Sequence, residues 1–328
     1  MSLHPVGIIG TGKYVPERIL SNKELEEMVE TNDEWIVTRT GIKERRLASP
    51  EEATSDLALI ASKQAIAAAG LTAEDIDLII VATITPDMFF PSTACLLQDK
   101  LGAKKAAAFD LSAACSGFIY GMATGSSMIA SGMYKHVLVV GAETLSRITD
   151  YTDRNTCILF GDGAGAVVLG QVEEGRGFRS FELGADGSGG DLLKVCGGGS
   201  RVPATEESIT NKKHFIHMAG NDVFKFAVRI MGSAAEDALK KAGISKDDID
   251  LLVPHQANIR IIQSALSRLN LSDDKAMINL DKYGNMSAAS IPVALAEAVE
   301  EGRVNEGDCL VLVGFGGGLT WGASVLIW

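Results

Sequence analysis

The chain has 328 residues, 46% of them hydrophobic and 22% charged, with 35 glycines and eight prolines. That composition is globular, long enough for one large or two ordinary domains, and poor in linker-like stretches. A formal net charge of −12 excludes a general nucleic-acid surface.

The amino terminus, "MSLHPVGIIGTG", lacks the charged region, apolar run and cleavage site of a secretory signal. "GIIGTGKYVP" opens like a dinucleotide fingerprint. Val15 stands where the third glycine belongs, however, and Pro16 would fall in the first turns of the helix, so no nicotinamide or flavin cofactor is expected. "SDLALIASKQAIAAAG" (55–70) reads as a helix and "DLIIVATI" (77–84) as a buried strand. In "DLSAACSGF" (110–118), Asp110 and Leu111 end a strand and three small residues make a tight turn. From Ser116 to Ala130 the pattern is a buried helix. "HVLVVGA" is another buried strand, and the glycine-rich "GDGAGA" (161–166) leads into a strand rather than a helix. After "GQVEEGRGF" come a long helix (221–243), the strand "DLLVPH" (250–255) and the loops "HQAN" and "KYGNMSAAS". The apolar runs are far too short to span a bilayer, so no membrane partner is expected. Cys95, Cys115, Cys157, Cys196 and Cys309 are odd in number, scattered and without a C-x-x-C. That argues against disulfides and zinc and for a reducing, cytoplasmic setting. His214 and His217 in "HFIH" have a usable metal spacing but no third ligand cluster nearby, so no metal is expected.

The chain is written twice. "AGLTAEDIDL" (69–78) matches "AGISKDDIDL" (242–251) at a shift of 173, and the same shift places "VLVVG" (137–141) on "LVLVG" (310–314). We read an internal duplication, with one half spanning 1–172 and the other 175–328. Short apolar strands alternating with helices in each half predict a layered α/β/α/β/α body with its site where the halves meet. The shift carries Cys115 onto Ala288, beside another small-residue turn, so two equivalent helix starts should face each other.

Alone, a buried cysteine is more often inert packing, a strand-end histidine a structural donor and a loop asparagine a turn residue. Cys115 at a helix start, where oriented amides favour a thiolate, together with His255 and Asn285 on strand-end loops, makes a site of the α/β kind.

"SAACSGF", "HQANIRII", "YGNMSAASIP" and "GFGGGLTWGA", with "NDEWIVTRTGIKER" and "MAGNDVFKFAV", resemble the signatures of the β-ketoacyl-acyl-carrier-protein synthase III family of the thiolase superfamily, essentially from end to end. The resemblance implies the duplicated thiolase-like fold and a homodimer that starts type II fatty acid synthesis from acyl-CoA and malonyl-acyl-carrier-protein, with acyl-CoA a substrate and no cofactor. It implies Cys115 as the acyl acceptor and His255 with Asn285 as the decarboxylation pair. It also implies Cys115 and Gly317 as sources of oxyanion N–H groups and Phe315 as an apolar wall near the malonyl carboxylate. Trp35, Arg39, Arg154 and Asn258 match its CoA-binding positions, and Phe90, Leu159 and Phe160 its acyl pocket, with Phe90 crossing to the partner. Lys225, Arg260 and Arg268, within a basic region that also holds Lys212, Lys213 and Arg229, match its carrier-docking positions. A 3-hydroxy-3-methylglutaryl-CoA synthase would want a carboxylate base after the first repeat's strand, where only the more distant Asp87 is found. A plant-type polyketide synthase shares only part of the motif set, and a dead scaffold would have lost the nucleophile or its helpers.

Overall fold

The computed structural model describes residues 5–328; the first four residues of the amino-terminal stretch read above lie outside them. Five strands form one sheet, in the spatial order Val6–Tyr14, Asp162–Gln171, Val137–Thr144, Leu78–Ala82 and Ala107–Leu111. The first three run antiparallel to their neighbours and the last two are parallel additions. A second sheet repeats the order with Gly177–Ala185, Thr320–Ile327, Cys309–Gly316 and Leu251–Pro254. Its fifth member is reduced to a single parallel bridge between Leu252 and Ala276.

Near-continuous apolar runs produce this arrangement, because a strand covered on both faces must be apolar on both. Every residue of Leu78–Ala82, Val137–Thr144 and Cys309–Gly316 is buried. Helices Gly117–Ala130 and Ser290–Glu300 lie between the sheets, Thr54–Ala68 covers the outer face of the first, and Gly220–Ala242 that of the second. The expected five layers result. The inter-sheet core joins Phe118, Ile119 and Met122 of one central helix to Ile291, Ala294 and Leu295 of the other.

The duplication extends to backbone detail. A short 3-10 turn, Ala114–Ser116, precedes the first central helix, and its counterpart, Ser287–Ala289, precedes the second. Each turn begins on a non-glycine residue at φ 46°, Ala114 and Ser287, 173 positions apart. Such a conformation persists only where surrounding packing enforces it. At one of the two turns the opposing strand comes very close, and at the other it is in ordinary contact. A Cβ on Gly141 would lie 2.1 Å from Ala288 O, and one on Gly314 3.4 Å from Cys115 O.

Gly141→Ala should therefore drive the Val137–Thr144 strand off the facing turn and cost roughly 3 kcal/mol, in the range of severe overpacking. The check is the urea midpoint, with Gly187→Ala, where an added methyl meets nothing within 4 Å, as the neutral control. A Gly141→Ala midpoint equal to that control would show the approach to be loose.

Candidate active site

Cys115 is buried in the turn ahead of helix Gly117–Ala130. His255 follows strand Leu251–Pro254, with its N–H donating to Val313 O at 2.8 Å, and its ring stands edge-on to Phe315 with centroids 5.7 Å apart. Asn285 is fixed on both backbone sides: its N–H donates to Leu159 O (2.8 Å) and its carbonyl accepts from Gly161 N (3.0 Å). Its Oδ1 accepts from Ser287 N at 2.9 Å, which leaves Nδ2 as the donor end of the amide. Cys115, His255, Asn285, Phe315, Gly316, Asn258, Leu159 and Phe160 line one narrow cavity of about 110 Å³. Cys115 and Phe160 also face a wider cavity of about 440 Å³, walled by Gly317, Ser287, Leu145, Leu193 and Ile216. The nucleophile candidate thus sits where two spaces meet at the junction of the halves.

The electrostatics differ from the sequence expectation at the thiol. The helix start was expected to favour a thiolate, but burial pushes the Cys115 thiol up to about 12, and the nearby Glu143 carboxyl raises it further. Ser287 acts in the opposite direction without reversing the outcome. Desolvation is the largest cause, so the resting residue is a neutral thiol. Burial alone pushes the His255 imidazole down to about 3, so it too is neutral, and its Nδ1 is buried without a hydrogen-bond partner among the described residues.

The remaining sequence-derived positions fall into three groups. Trp35 is flanked by two guanidiniums, Arg39 at 4.7 Å and Arg154 at 5.1 Å from the ring centroid, and a base between Trp35 and Arg154 requires the arginine to swing away. Asn258 caps helix Ile259–Leu269 through Arg260 N (2.9 Å) and donates to Arg39 O (2.8 Å), so much of its side chain is already engaged as it lines the narrow cavity. Leu159 lines the narrow cavity rather than the wide one. Phe90 is 86% exposed and reaches neither cavity of this chain, and Phe89 beside it is as bare. Arg260 stacks on Phe224, a residue of the cavity wall, and Lys225 is exposed next to Asp222. Arg268 is tied to Glu236, which also binds Lys246.

Sequence reasoning passed over Gly316, Ser287, Glu143 and the wall supplied by Leu193 and Ile216. A Cβ on Gly316 would lie 2.5 Å from Cys115 N, so only glycine leaves that amide uncovered. A carboxylate ending the apolar run "VLVVGAE" was the signal for Glu143, whereas the irregular 187–216 segment carried none. Asp87 accepts from Ser55 N and Oγ at the start of helix Thr54–Ala68, a structural task that removes it as a catalytic base.

Relatives agree with this reading of the fold. Profiles described as "3-Oxoacyl-[acyl-carrier-protein (ACP)] synthase III" and its C-terminal part match residues 109–187 and 239–328. A β-ketoacyl-[acyl-carrier-protein] synthase III of Desulfitobacterium hafniense (strain Y51) is 61% identical over 323 residues, covering 98% of each chain. A solved synthase III structure from Thermus thermophilus superposes with a TM-score of 0.92 at 51% identity, covering 98% of this chain and 99% of that one. One from Aquifex aeolicus VF5 gives 0.91 at 48%, over 98% and 100%. Fold and relatives together define a thiolase-like condensing enzyme, an acyltransferase. Within that class the chain belongs to the β-ketoacyl-acyl-carrier-protein synthase III family.

The buried neutral imidazole has a thermodynamic consequence. Below pH ~6.5 the unfolded chain protonates His255 while the folded chain does not until about 3, so stability falls as pH drops through that interval. Wild type should lose stability more steeply than His255→Asn between pH 6.5 and 4, by about 1 kcal/mol per pH unit, in urea titrations. Equal slopes would mean that the imidazole is protonated or solvated in the native state.

Proposed function

We propose that the chain initiates fatty acid synthesis by a two-stage acyl transfer at Cys115, with His255 and Asn285 serving the second stage. The observation that carries this is a single cavity lined by all three side chains at the junction of the halves. In the first stage the Cys115 sulfur attacks the carbonyl carbon of an acyl-CoA. A sulfur–carbon bond forms, the bond to CoA breaks, and the proton that Cys115 gives up leaves on the CoA thiol. The tetrahedral oxyanion is met by the Cys115 N–H, kept uncovered by Gly316, and by the N–H of Gly317.

In the second stage the carbon–carbon bond to the carboxylate of malonyl-acyl-carrier-protein breaks and carbon dioxide leaves. The electron pair stays as an enolate, whose oxygen accepts N–H bonds from a neutral imidazole and the Asn285 Nδ2. Both donors suit the task because neither is charged, and the Asn285 amide does not titrate. Phe315, packed edge-on to His255, makes one wall apolar and favours the loss of charge as carbon dioxide. The enolate carbon attacks the acyl thioester to give the 3-oxoacyl product, and the Cys115 thiolate that leaves takes up a proton. Decarboxylation drives the bond formation, so the reaction needs no cofactor.

Trp35, Arg39 and Arg154 hold the nucleotide end of CoA, with an indole face and two cations for adenine and phosphate. Asn258 meets the pantetheine arm at the cavity. The wide cavity, with Phe160 in its wall, takes the acyl chain. Phe90 reaches the pocket of a second copy in a homodimer, which accounts for two bare phenylalanines side by side. Arg260 and Lys225 at the mouth guide an acidic carrier protein to an acidic enzyme, with Arg268 positioned by Glu236.

Intact mass after brief incubation with acetyl-CoA or isobutyryl-CoA should rise by one acyl group in wild type and not in Cys115→Ala; an undiminished gain in the mutant would move the nucleophile elsewhere. His255→Ala and Asn285→Ala should keep that gain yet lose malonyl decarboxylation by at least about 100-fold. Equal loss of both stages in His255→Ala would overturn the division of roles.

A further inference from the structure

Arg45 is fully buried, although no step of the chemistry above uses it. Its neighbours follow the ordinary pattern for cations, Lys43 facing Asp281 at 4.0 Å and Arg46 facing Glu44 at 3.7 Å. Among the described residues no carboxylate pairs with Arg45 itself. Its Nη1 donates to Leu20 O (3.0 Å) and Asn22 Oδ1 (2.9 Å) and its Nη2 to Ile158 O (2.7 Å), while Nε is buried without a partner. Burial lowers the guanidinium to about 10, so it is still a cation at neutral pH. Taking an unpaired charge out of water is costly, and here it serves three acceptors on two segments far apart in the chain.

The second of those segments is the one that holds Asn285. Leu159, next to Ile158, accepts the Asn285 N–H, Gly161 donates to the Asn285 carbonyl, and Phe160 lies opposite Asn285 in a parallel bridge. The Arg45 stem packs on both sides of that pairing. A Cβ on Gly161 would lie 2.4 Å from Tyr283 O and 3.1 Å from Arg45 Cβ, and one on Gly284 2.7 Å from Leu159 O and 3.3 Å from Arg45 Cβ. The two glycines thus let the 158–161 and 283–285 segments close onto one another and onto the arginine stem. The first segment is anchored on its own account. Leu20 is the cross-strand partner of Arg45 in the antiparallel ribbon of Arg18–Ser21 and Glu44–Leu47. Asn22 is held through its Nδ2, which donates to Asp33 Oδ1 (2.8 Å) and Ile42 O (2.8 Å).

We propose that Arg45 is a positioning residue for the second stage: its fork ties the 158–161 segment to the 20–22 segment and so fixes where the Asn285 amide stands in the narrow cavity. A planar guanidinium reaches acceptors in two directions at fixed angles, which neither lysine nor a neutral side chain does. Without it Ile158 O is a buried acceptor left unpaired, and the segment that frames Asn285 loses its outer tie. A misplacement of about 1 Å is enough to cost a positioned group much of its effect on a transition state. The first stage is left in place, because Arg45 makes no hydrogen bond to the Ala114–Ser116 turn and Asn22 keeps its own bond to Asp33, at the start of the helix that carries Trp35. The inference rests on Asn285 as a donor in the second stage.

The test compares wild type, Arg45→Met, Arg45→Lys and Asn285→Ala, with both Arg45 substitutions also made in the Asn285→Ala background. Two rates are read per folded molecule: acyl gain from acetyl-CoA by intact mass, and carbon dioxide release from malonyl-acyl-carrier-protein by the pre-acylated enzyme in a single turnover. Arg45→Met should keep the first rate and lose ~10-fold or more in the second, with Arg45→Lys between it and wild type. In the Asn285→Ala background the same substitutions should lower the second rate no further, because the donor that Arg45 positions is gone. An unchanged second rate in Arg45→Met, an equal loss of both rates, or an equal further loss on top of Asn285→Ala would each overturn the proposal. Should Arg45→Met fail to fold, Arg45→Lys decides: an unchanged ratio of the two rates overturns the proposal, and a lowered ratio that vanishes in the Asn285→Ala background sustains it. Full carbon dioxide release by Asn285→Ala alone would overturn the reading of Asn285 on which the proposal rests, a failure visible without any Arg45 variant.

Discussion

Everything at the centre of this molecule depends on the close approach of two strands to two turns. Gly141 and Gly314 occupy equivalent strand positions, and each lets its strand lie against the carbonyl of the residue that opens the opposite central helix, Ala288 or Cys115. A larger residue at Gly141 would force its strand off the turn ahead of Ser290–Glu300, whereas at Gly314 the carbonyl is at ordinary contact distance and the nearer neighbour is the Ile291 side chain at 3.1 Å. Each turn begins at a positive φ, on Ala114 and on Ser287. A strained backbone costs of order 1 kcal/mol or more at each position. The layers on either side repay it, because the inter-sheet core draws apolar side chains from both central helices and fixes them together.

Enclosure at that junction also sets the chemistry. The three ionisable groups nearest the centre, Cys115, His255 and Glu143, are all driven toward their neutral forms, and in each case burial is the largest cause. A site of neutral donors and apolar walls is poorly suited to stabilising a carboxylate and well suited to expelling one as carbon dioxide. The same burial strengthens each N–H bond to an enolate or oxyanion, since a low local dielectric screens it less. The neutrality of the thiol is therefore a consequence of the environment that the second stage needs.

Much of this was legible in the chain. Continuous apolar runs betrayed strands covered on both faces, and small residues between strand and helix betrayed tight turns. The repeated "AGLTAEDIDL" fixed a shift that the structure reproduces down to one φ angle. What escaped the sequence depends on distant partners. The protonation of Cys115 follows from enclosure by residues drawn from both halves. The engagement of Asn258 with Arg39, 219 positions away, and of Arg268 with Glu236 has no local signature. The wall formed by Leu193 and Ile216 comes from an irregular segment whose place is set by contacts rather than by periodicity. The loss of the second sheet's fifth strand to one bridge at Ala276 is invisible for the same reason.

At the paired turns the two halves differ in the side chains that oppose them. Where one half opposes its turn with Gly316, the other opposes its turn with Glu143; where one places His255 and Asn285, the other places Ala82 and Ser112. An empty second site would have left a cavity with unpaired amides, which is costly in a buried interior. A carboxyl there satisfies the Thr83–Thr85 loop. The carboxyl itself is buried, and that burial raises it toward its neutral form. The carboxyl that stands where the other half has Gly316 thus fastens the loop after Leu78–Ala82 to the end of strand Val137–Thr144 at the junction of the halves.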